Sequence, residues 1–292
     1  MHAGSDDGVL LGHWTEPEGR SGCTVVVFPE GSVASGEIRG GAPATREFGL
    51  LDPRRMVGQV DAVVLSGGSA FGLAAADGVI EGLAERDRGF ETRAGRVPIV
   101  VGMSLFDLAD GVPRPDRSAG RAALDTASNG PWPTGRYGAG AGATIGKWRG
   151  SDHRVDAGIG ISTVRSGEVT VTAIMAVNAV GDLDDGATAQ EIIDGTFLPP
   201  TIEPESFENT TIGVVWTNAT LTKVECRTIA EGGHDGMGRA LLPAHTQADG
   251  DAIVAVATNV IETGAPEASV ANIRLLATVA VEQAIRGCRG DE

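Results

Sequence analysis

Residues 207–218 read FENTTIGVVWTN, and three of them, Asn209, Thr210 and Thr211, have side chains suited to covalent chemistry. They stand where an acidic, proline-bearing stretch gives way to a β-branched run. Three readings fit. Thr210 and Thr211 open a strand, because Thr suits a pleated, half-buried surface. Or Asn-Thr-Thr is an N-glycosylation acceptor, which needs a secretory route. Or Asn209–Thr210 is a bond that the protein cuts in itself. A cut there gives Thr210 a free α-amino group beside its own hydroxyl. Such an amine titrates near pKa ~7.7–8.0, so it can take a proton at neutral pH. Nucleophile and base would then share one residue, the N-terminal threonine variant of covalent catalysis. The pieces would be residues 1–209 and 210–292.

Other motifs lose to simpler readings. GAGAGATIGKW (138–148) fails as a P-loop, because Ala141 stands where the first glycine belongs and Trp148 follows Lys147. Gly138, Gly140 and Ala143 have dinucleotide-fingerprint spacing, but the preceding NGPWPTGRY is no strand. The stretch reads as a glycine-rich turn packed close to another backbone, with Lys147 at its end. LSGGSAFG (65–72) has the setting of a nucleophile elbow, yet Phe71 breaks G-x-S-x-G. Gly67, Gly68 and Ser69 therefore read as a tight turn whose amides line a pocket. DLDDG (182–186) lacks the spacing of a calcium loop and reads as a solvated acidic turn. His234 and His245 are the one close histidine pair, and helix-end packing is the expectation for HDGMGR (234–239). No metal site and no cofactor are expected.

These residues need elements to hold them. CTVVVF (23–28) and VDAVVL (60–65) read as strands, as do TIGVVWT (211–217) and AIVAVAT (252–258). In 168–182, Val169, Val171, Ala173, Met175 and Val177 alternate onto one strand face, with Asn178 just beyond. Helices are expected over 69–87, 220–242 and 268–288. Residues 181–208, acidic and with three prolines, read as a long functional loop. With 292 residues, 41% hydrophobic and 43 glycines, the chain can bury a sizeable core of small aliphatic residues. Strands and helices mix without a strict βαβ repeat, which points to a layered α/β sandwich.

Charge and cysteines bound the function. A formal net charge of −16 disfavours nucleic-acid partners. Cys23, Cys226 and Cys288 are dispersed and odd in number, which suits a reducing compartment. No apolar run is long enough to span a membrane and the N-terminus reads as no signal peptide, so the expected location is cytoplasmic.

Six stretches in one order carry a family resemblance: VVLSGGSAFGL, GAGAGATIGK, AVNAVGD, NTTIGVVWTNATLTK, HDGMGRA and HTQADGDAIVAVAT. Over most of its length the chain resembles the L-aminopeptidase/D-esterase family of self-processing hydrolases. Within that family it is most similar to the nylon-oligomer (6-aminohexanoate-oligomer) hydrolases. The resemblance implies one four-layer αββα domain over 1–292, of the N-terminal-nucleophile-hydrolase type. It makes Thr210 the nucleophile released by autoproteolysis. It makes Asn178 an amide donor to the oxyanion and Lys147 a positive charge near the nucleophile. Asp249 and Asp251 become acids that orient the threonine or its amine. The expected substrate is a small amide or peptide, and the expected partners are further processed pairs, as a tetramer or larger. The β-aminopeptidase branch has serines where Thr210 and Asp249 stand, and a tyrosine that GAGAGATIGK lacks, so β-peptide specificity is not implied. Two alternatives remain: an acyltransferase of the ornithine acetyltransferase type, and an uncut, non-catalytic ligand-binding relative.

Overall fold

Two five-stranded sheets and four helices carry the architecture in the computed structural model, which describes residues 7–197, 209–262 and 266–290. The early strands are β1 Leu10–Thr15, β2 Gly22–Val27, β3 Val33–Ile38, β4 Ala44–Arg46, β5 Ala62–Ser66 and β6 Val100–Ser104. They are followed by β7 Ile159–Ser166, β8 Val169–Asn178, β9 Thr210–Ala219 and β10 Ala252–Ile261. The helices are α1 Ala75–Ala84, α2 Arg117–Asp125, α3 Lys223–Ala240 and α4 Val270–Arg286. One sheet runs β1-β2-β5-β6-β4 and the other β7-β8-β9-β10-β3. Each holds one parallel pair, β5 with β6 and β9 with β10; the other pairings are antiparallel.

Alternation sorts the side chains into layers. On β8, the expected set Val169, Val171, Ala173, Met175 and Val177 packs with Cys226 and Ile229 of α3 and Ile273 and Val281 of α4. The intervening Ile174 and Ala176 turn the other way. They join Ile212, Val214 and Trp216 of β9 against Val26, Val63, Leu65 and Met103 of the first sheet. A third cluster lies between that sheet and α1 and α2, through Val25, Val64, Val79, Leu83 and Leu124. Helices, sheet, sheet, helices: the chain is the αββα sandwich its sequence resembles. Trp216 anchors the inter-sheet layer, meeting Trp132 edge-on at 5.9 Å between ring centroids and Phe28 at 6.5 Å. Each such burial contributes about 1.5–3 kcal/mol. A one-residue slip of β9 would turn Ile212, Val214 and Trp216 out of this layer, so packing sets its register.

Two expectations need correction. The helix expected over 69–87 is interrupted: Ser69–Gly72 forms one turn, and α1 starts only at Ala75. There the amides of Ala74, Ala76 and Asp77 bond three residues back, to Phe71, Leu73 and Ala74, which tightens the chain out of α geometry. The stretch expected as a loop from 181 holds a strand at Asp182–Leu183 and a helix at Ala187–Ile193, while residues 198–208 lie outside the described residues. Arg149 clamps it, donating from Nε to Asp182 Oδ2 at 2.6 Å and from a terminal nitrogen to Thr188 Oγ1 at 2.8 Å. Trp148 adds an indole bond to the same Asp182 oxygen and stacks on Phe197. Helices α3 and α4 fall within their expected spans. α3 starts from a capping box between Thr222 and Glu225, and α4 from a Ser269 cap on Asn272 N–H.

Candidate active site

The β8–β9 ladder pairs Asn178 with Thr210, the last residue of one strand against the first of the next. Directly opposed residues in antiparallel strands share a face, with Cβ atoms about 4.5–5.5 Å apart. Both are even-numbered neighbours of Ile174, Ala176 and Ile212, so both lie on the inter-sheet side, at the end of that core. Thr210 is only 3% exposed. Parallel pairing of β9 with β10 brings the 249–251 turn alongside. Gly250 N–H donates to Thr210 Oγ1 at 3.1 Å. A Cβ at 250 would stand 2.6 Å from that same oxygen, so only glycine lets the amide come this close.

Asn178 is locked in orientation. Its Oδ1 accepts from Lys147 Nζ at 2.8 Å and from Thr144 N–H at 3.0 Å, while its Nδ2 donates to Phe106 O at 2.8 Å. A flipped amide would face two donors with its own N–H groups, so the network fixes which atom points where. Lys147 also donates to Asn178 O at 3.1 Å. The glycine-rich turn delivers the lysine: Gly140 packs against Ile159 N so closely that a Cβ there would collide with it. The expected turn against a second backbone is present.

Asp249 and Asp251 are each 1% exposed and hold backbone, not the Thr210 hydroxyl. Asp251 Oδ1 accepts from Thr211 N–H at 2.8 Å, and Oδ2 accepts from His245 N–H at 3.0 Å and meets His245 Nδ1 at 2.9 Å. Asp249 accepts from Val180 N–H at 3.2 Å and from Thr246 through N–H and Oγ1, the latter at 2.6 Å. Burial, and then the neighbouring charge of Asp251, push Asp249 up to about 6. Burial works against the His245 cation, but its bond to Asp251 and that residue's charge raise its pKa overall. His234 sits behind, ring to ring with His245 at 4.9 Å, and burial lowers it to about 3. The pair does more than the helix-end packing expected of HDGMGR, because His245 supports an acid beside the seam.

Gly67, Gly68 and Ser69 are placed elsewhere. Their amides are taken by neighbouring segments, on Gly22 O, Asp107 Oδ1 and Leu105 O, which leaves none of the three to receive a ligand. They touch the site only through Asp107, which lines a cleft of about 230 Å³ together with Phe106, Thr144, Lys147 and Asn178. A larger concavity of about 750 Å³, around Phe48, Arg55 and Arg227, includes none of the seam residues.

The model of peptidase family S58 matches residues 6–287. The chain belongs to peptidase family S58. An uncharacterized aminopeptidase of Mycobacterium leprae (strain TN) is 42% identical to it, over 88% of this chain and 78% of the relative. The 6-aminohexanoate-oligomer endohydrolase of Paenarthrobacter ureafaciens is 32% identical, over 87% of this chain and 74% of that one. Among solved structures, the L-aminopeptidase D-Ala-esterase/amidase of Ochrobactrum anthropi aligns with a TM-score of 0.67 at 19% identity, covering 98% of this chain and 86% of that one. A Burkholderia β-aminopeptidase aligns at 0.69 and 22%, over 95% and 83%. These two establish a shared fold, a variant of the N-terminal-nucleophile hydrolases. Membership of S58 makes the chain a hydrolase of the peptidase and amidase type.

Several members of this candidate site leave little trace in the sequence. Gly250 is inconspicuous between its two acids, although G between D and D at a strand entry signals a close backbone approach. Phe106 and Asp107 sit in SLFDLAD, which has neither helical nor strand period. Their partners, Asn178 and Gly68, are 72 and 39 residues away.

Proposed function

We propose that this S58 chain cuts its own Asn209–Thr210 bond and then hydrolyses small amides through Thr210. Thr210 Oγ attacks the Asn209 carbonyl carbon. As the C–N bond breaks, the nitrogen takes up a proton and an ester links Asn209 to Thr210. Water then hydrolyses that ester, leaving a carboxylate on residue 209 and a free amine and hydroxyl on residue 210. In turnover the amine takes the hydroxyl proton as Oγ attacks a substrate carbonyl, and it passes a proton to the departing amine. Water releases the acyl group. Asn178 donates to the oxyanion in both reactions, and the Lys147 charge favours the developing negative oxygen. Asp251 holds the Thr211 backbone next to the nucleophile, and Asp249 holds Val180 and Thr246 beside it, so that the two acids orient the threonine or its amine. Small peptides and ω-amino-acid oligomers are the substrate class, in line with the aminopeptidase and 6-aminohexanoate-oligomer names of the relatives. Processed pairs associate with further copies.

One observation carries the reading: the Thr210 hydroxyl is held by Gly250 N–H on the same sheet face as the Lys147-bound Asn178. An ordinary strand start has no need of that arrangement. Intact mass of freshly purified protein tests it. Two polypeptides with Thr210 at the new terminus are expected, and a single uncut chain from Thr210→Ala. An active catalyst of unbroken mass would overturn the scheme.

A further inference from the structure

The cleft beside Asn178 is electrically unlike the molecule around it. The chain carries a formal charge of −16, a field that repels anions. Yet the cleft is walled by Arg20, Arg136, Lys147 and Arg154, against only Asp107 and Asp156.

Of the two acids, one is ion-paired and the other is bonded through one oxygen. Asp156 pairs with Arg136. Asp107 Oδ1 accepts from Gly68 N–H at 2.6 Å, and its other oxygen is buried near Gly67 with no hydrogen-bond partner among the described residues. Burial also pushes its carboxyl up to about 6. The guanidinium groups are less committed. Arg20 pairs with Glu18 through one terminal nitrogen, at 2.7 Å, while its Nε is buried with no hydrogen-bond partner among the described residues. Arg154 pairs with no carboxylate among the described residues. Arg20, through its terminal nitrogens, and Arg154 thus line a small space that ends on Asn178.

We propose that this cleft binds a carboxylate carried by the substrate, so that the amide hydrolysed at Thr210 bears an acid group held by Arg20 and Arg154. The proposal rests on the reading of Thr210 as nucleophile and adds the substrate's chemical class. A guanidinium fork matches the two oxygens of a carboxylate, and such pairs are worth more in a recess than at an open surface. The cleft is small, about 230 Å³, and ends on Asn178, so a compact acid group bound there lies close to the proposed oxyanion donor.

Calorimetric titration of the full chain with glutarate, its neutral and non-hydrolysable analogue heptane-2,6-dione and inorganic phosphate tests this. Glutarate should bind at least ~10-fold more tightly than the diketone, the size expected of one charge-assisted contact. The preference should shrink as ionic strength rises. Arg154→Gln should reduce it; Arg154 is exposed, so an unchanged melting temperature will show that the variant is folded. Equal binding of the two probes, no glutarate binding, or phosphate binding as tight as glutarate would each overturn the carboxylate assignment. None of the probes is hydrolysed, so the outcome is separable from the chemistry at Thr210. An uncut chain that binds glutarate refutes the nucleophile and leaves the anion site standing. A self-cut chain indifferent to glutarate does the reverse.

Discussion

Replacing Gly250 by alanine tests the seam with a single methyl group. Gly250 has an ordinary negative φ, so alanine brings no backbone strain there and the effect is one of space. The new Cβ would lie 2.6 Å from Thr210 Oγ1 and 2.7 Å from Ala42 O, whereas real Cβ contacts essentially never fall below 3.0 Å. Relief moves Oγ1 or the 249–251 turn by at least 0.4 Å, from 2.6 to 3.0 Å, and stretches the Gly250 N–H bond that now measures 3.1 Å. Reacting groups displaced by about 1 Å lose on the order of 10²-fold in rate. A shift of 0.4 to 1 Å should therefore slow self-cleavage by about 6- to 100-fold, or roughly 1.1–2.7 kcal/mol of activation free energy. Overpacking adds about 1–3 kcal/mol of destabilisation, to be read separately by thermal melting. The assay is a denaturing-gel time course of the uncut band after synthesis. Gly238→Ala is the control: that glycine is exposed in α3 with nothing within 4 Å of its Cβ position, and it should mature at the normal rate. If Gly250→Ala matured as fast as the unmodified chain, the Thr210 hydroxyl would not be the attacking group.

Other outcomes follow from the same contacts. Asn178→Ala should cost about 10²–10³ in hydrolysis of an amide substrate by matured protein, the usual loss for one oxyanion donor, measured as kcat. His245 has a raised folded pKa, so its contribution is complete below its ordinary 6.5 and fades as pH climbs through the higher folded value. Melting temperature should therefore fall across that window in the natural chain, and His245→Gln should flatten the fall. If the free α-amine of Thr210 is the base, kcat/KM should rise through pH ~7.7–8.0, and a rate flat across that range would remove the amine from the mechanism. Light scattering of matured protein should give the mass of a tetramer or larger, and a lone pair in solution would refute association.

What is legible in the sequence is periodic or adjacent. Val169 to Thr172 alternate apolar and polar, and period two carries the set on to Val177; because 173–177 are all apolar and both faces are buried, the pattern groups the odd residues without saying that they meet the helices. The Asn209–Thr210 seam stands out where composition changes sharply between neighbouring residues. The coming together of Asn178, Lys147 and Thr210 is implied only by resemblance, since 31 residues separate Lys147 from Asn178 and no local pattern encodes that approach. The Phe106 carbonyl is beyond reach for a further reason: backbone acceptors have no residue signature. The helix at Ala187–Ile193 is hidden because its anchor, Arg149, lies well upstream, so polar composition alone suggests a loop.

The order of the second sheet decides what a cut at residue 209 would leave behind. β9 and β10 lie between β8 on one flank and β3 on the other, and both flanking strands precede the cut. The downstream piece is a wedge driven through the upstream one, hydrogen-bonded along both edges and roofed by its own two helices. Scission would then sever the chain without releasing either part. The fragments would travel as one particle until denatured, and mixing separately made halves should not rebuild the enzyme, because the upstream half alone would have to hold open a gap two strands wide.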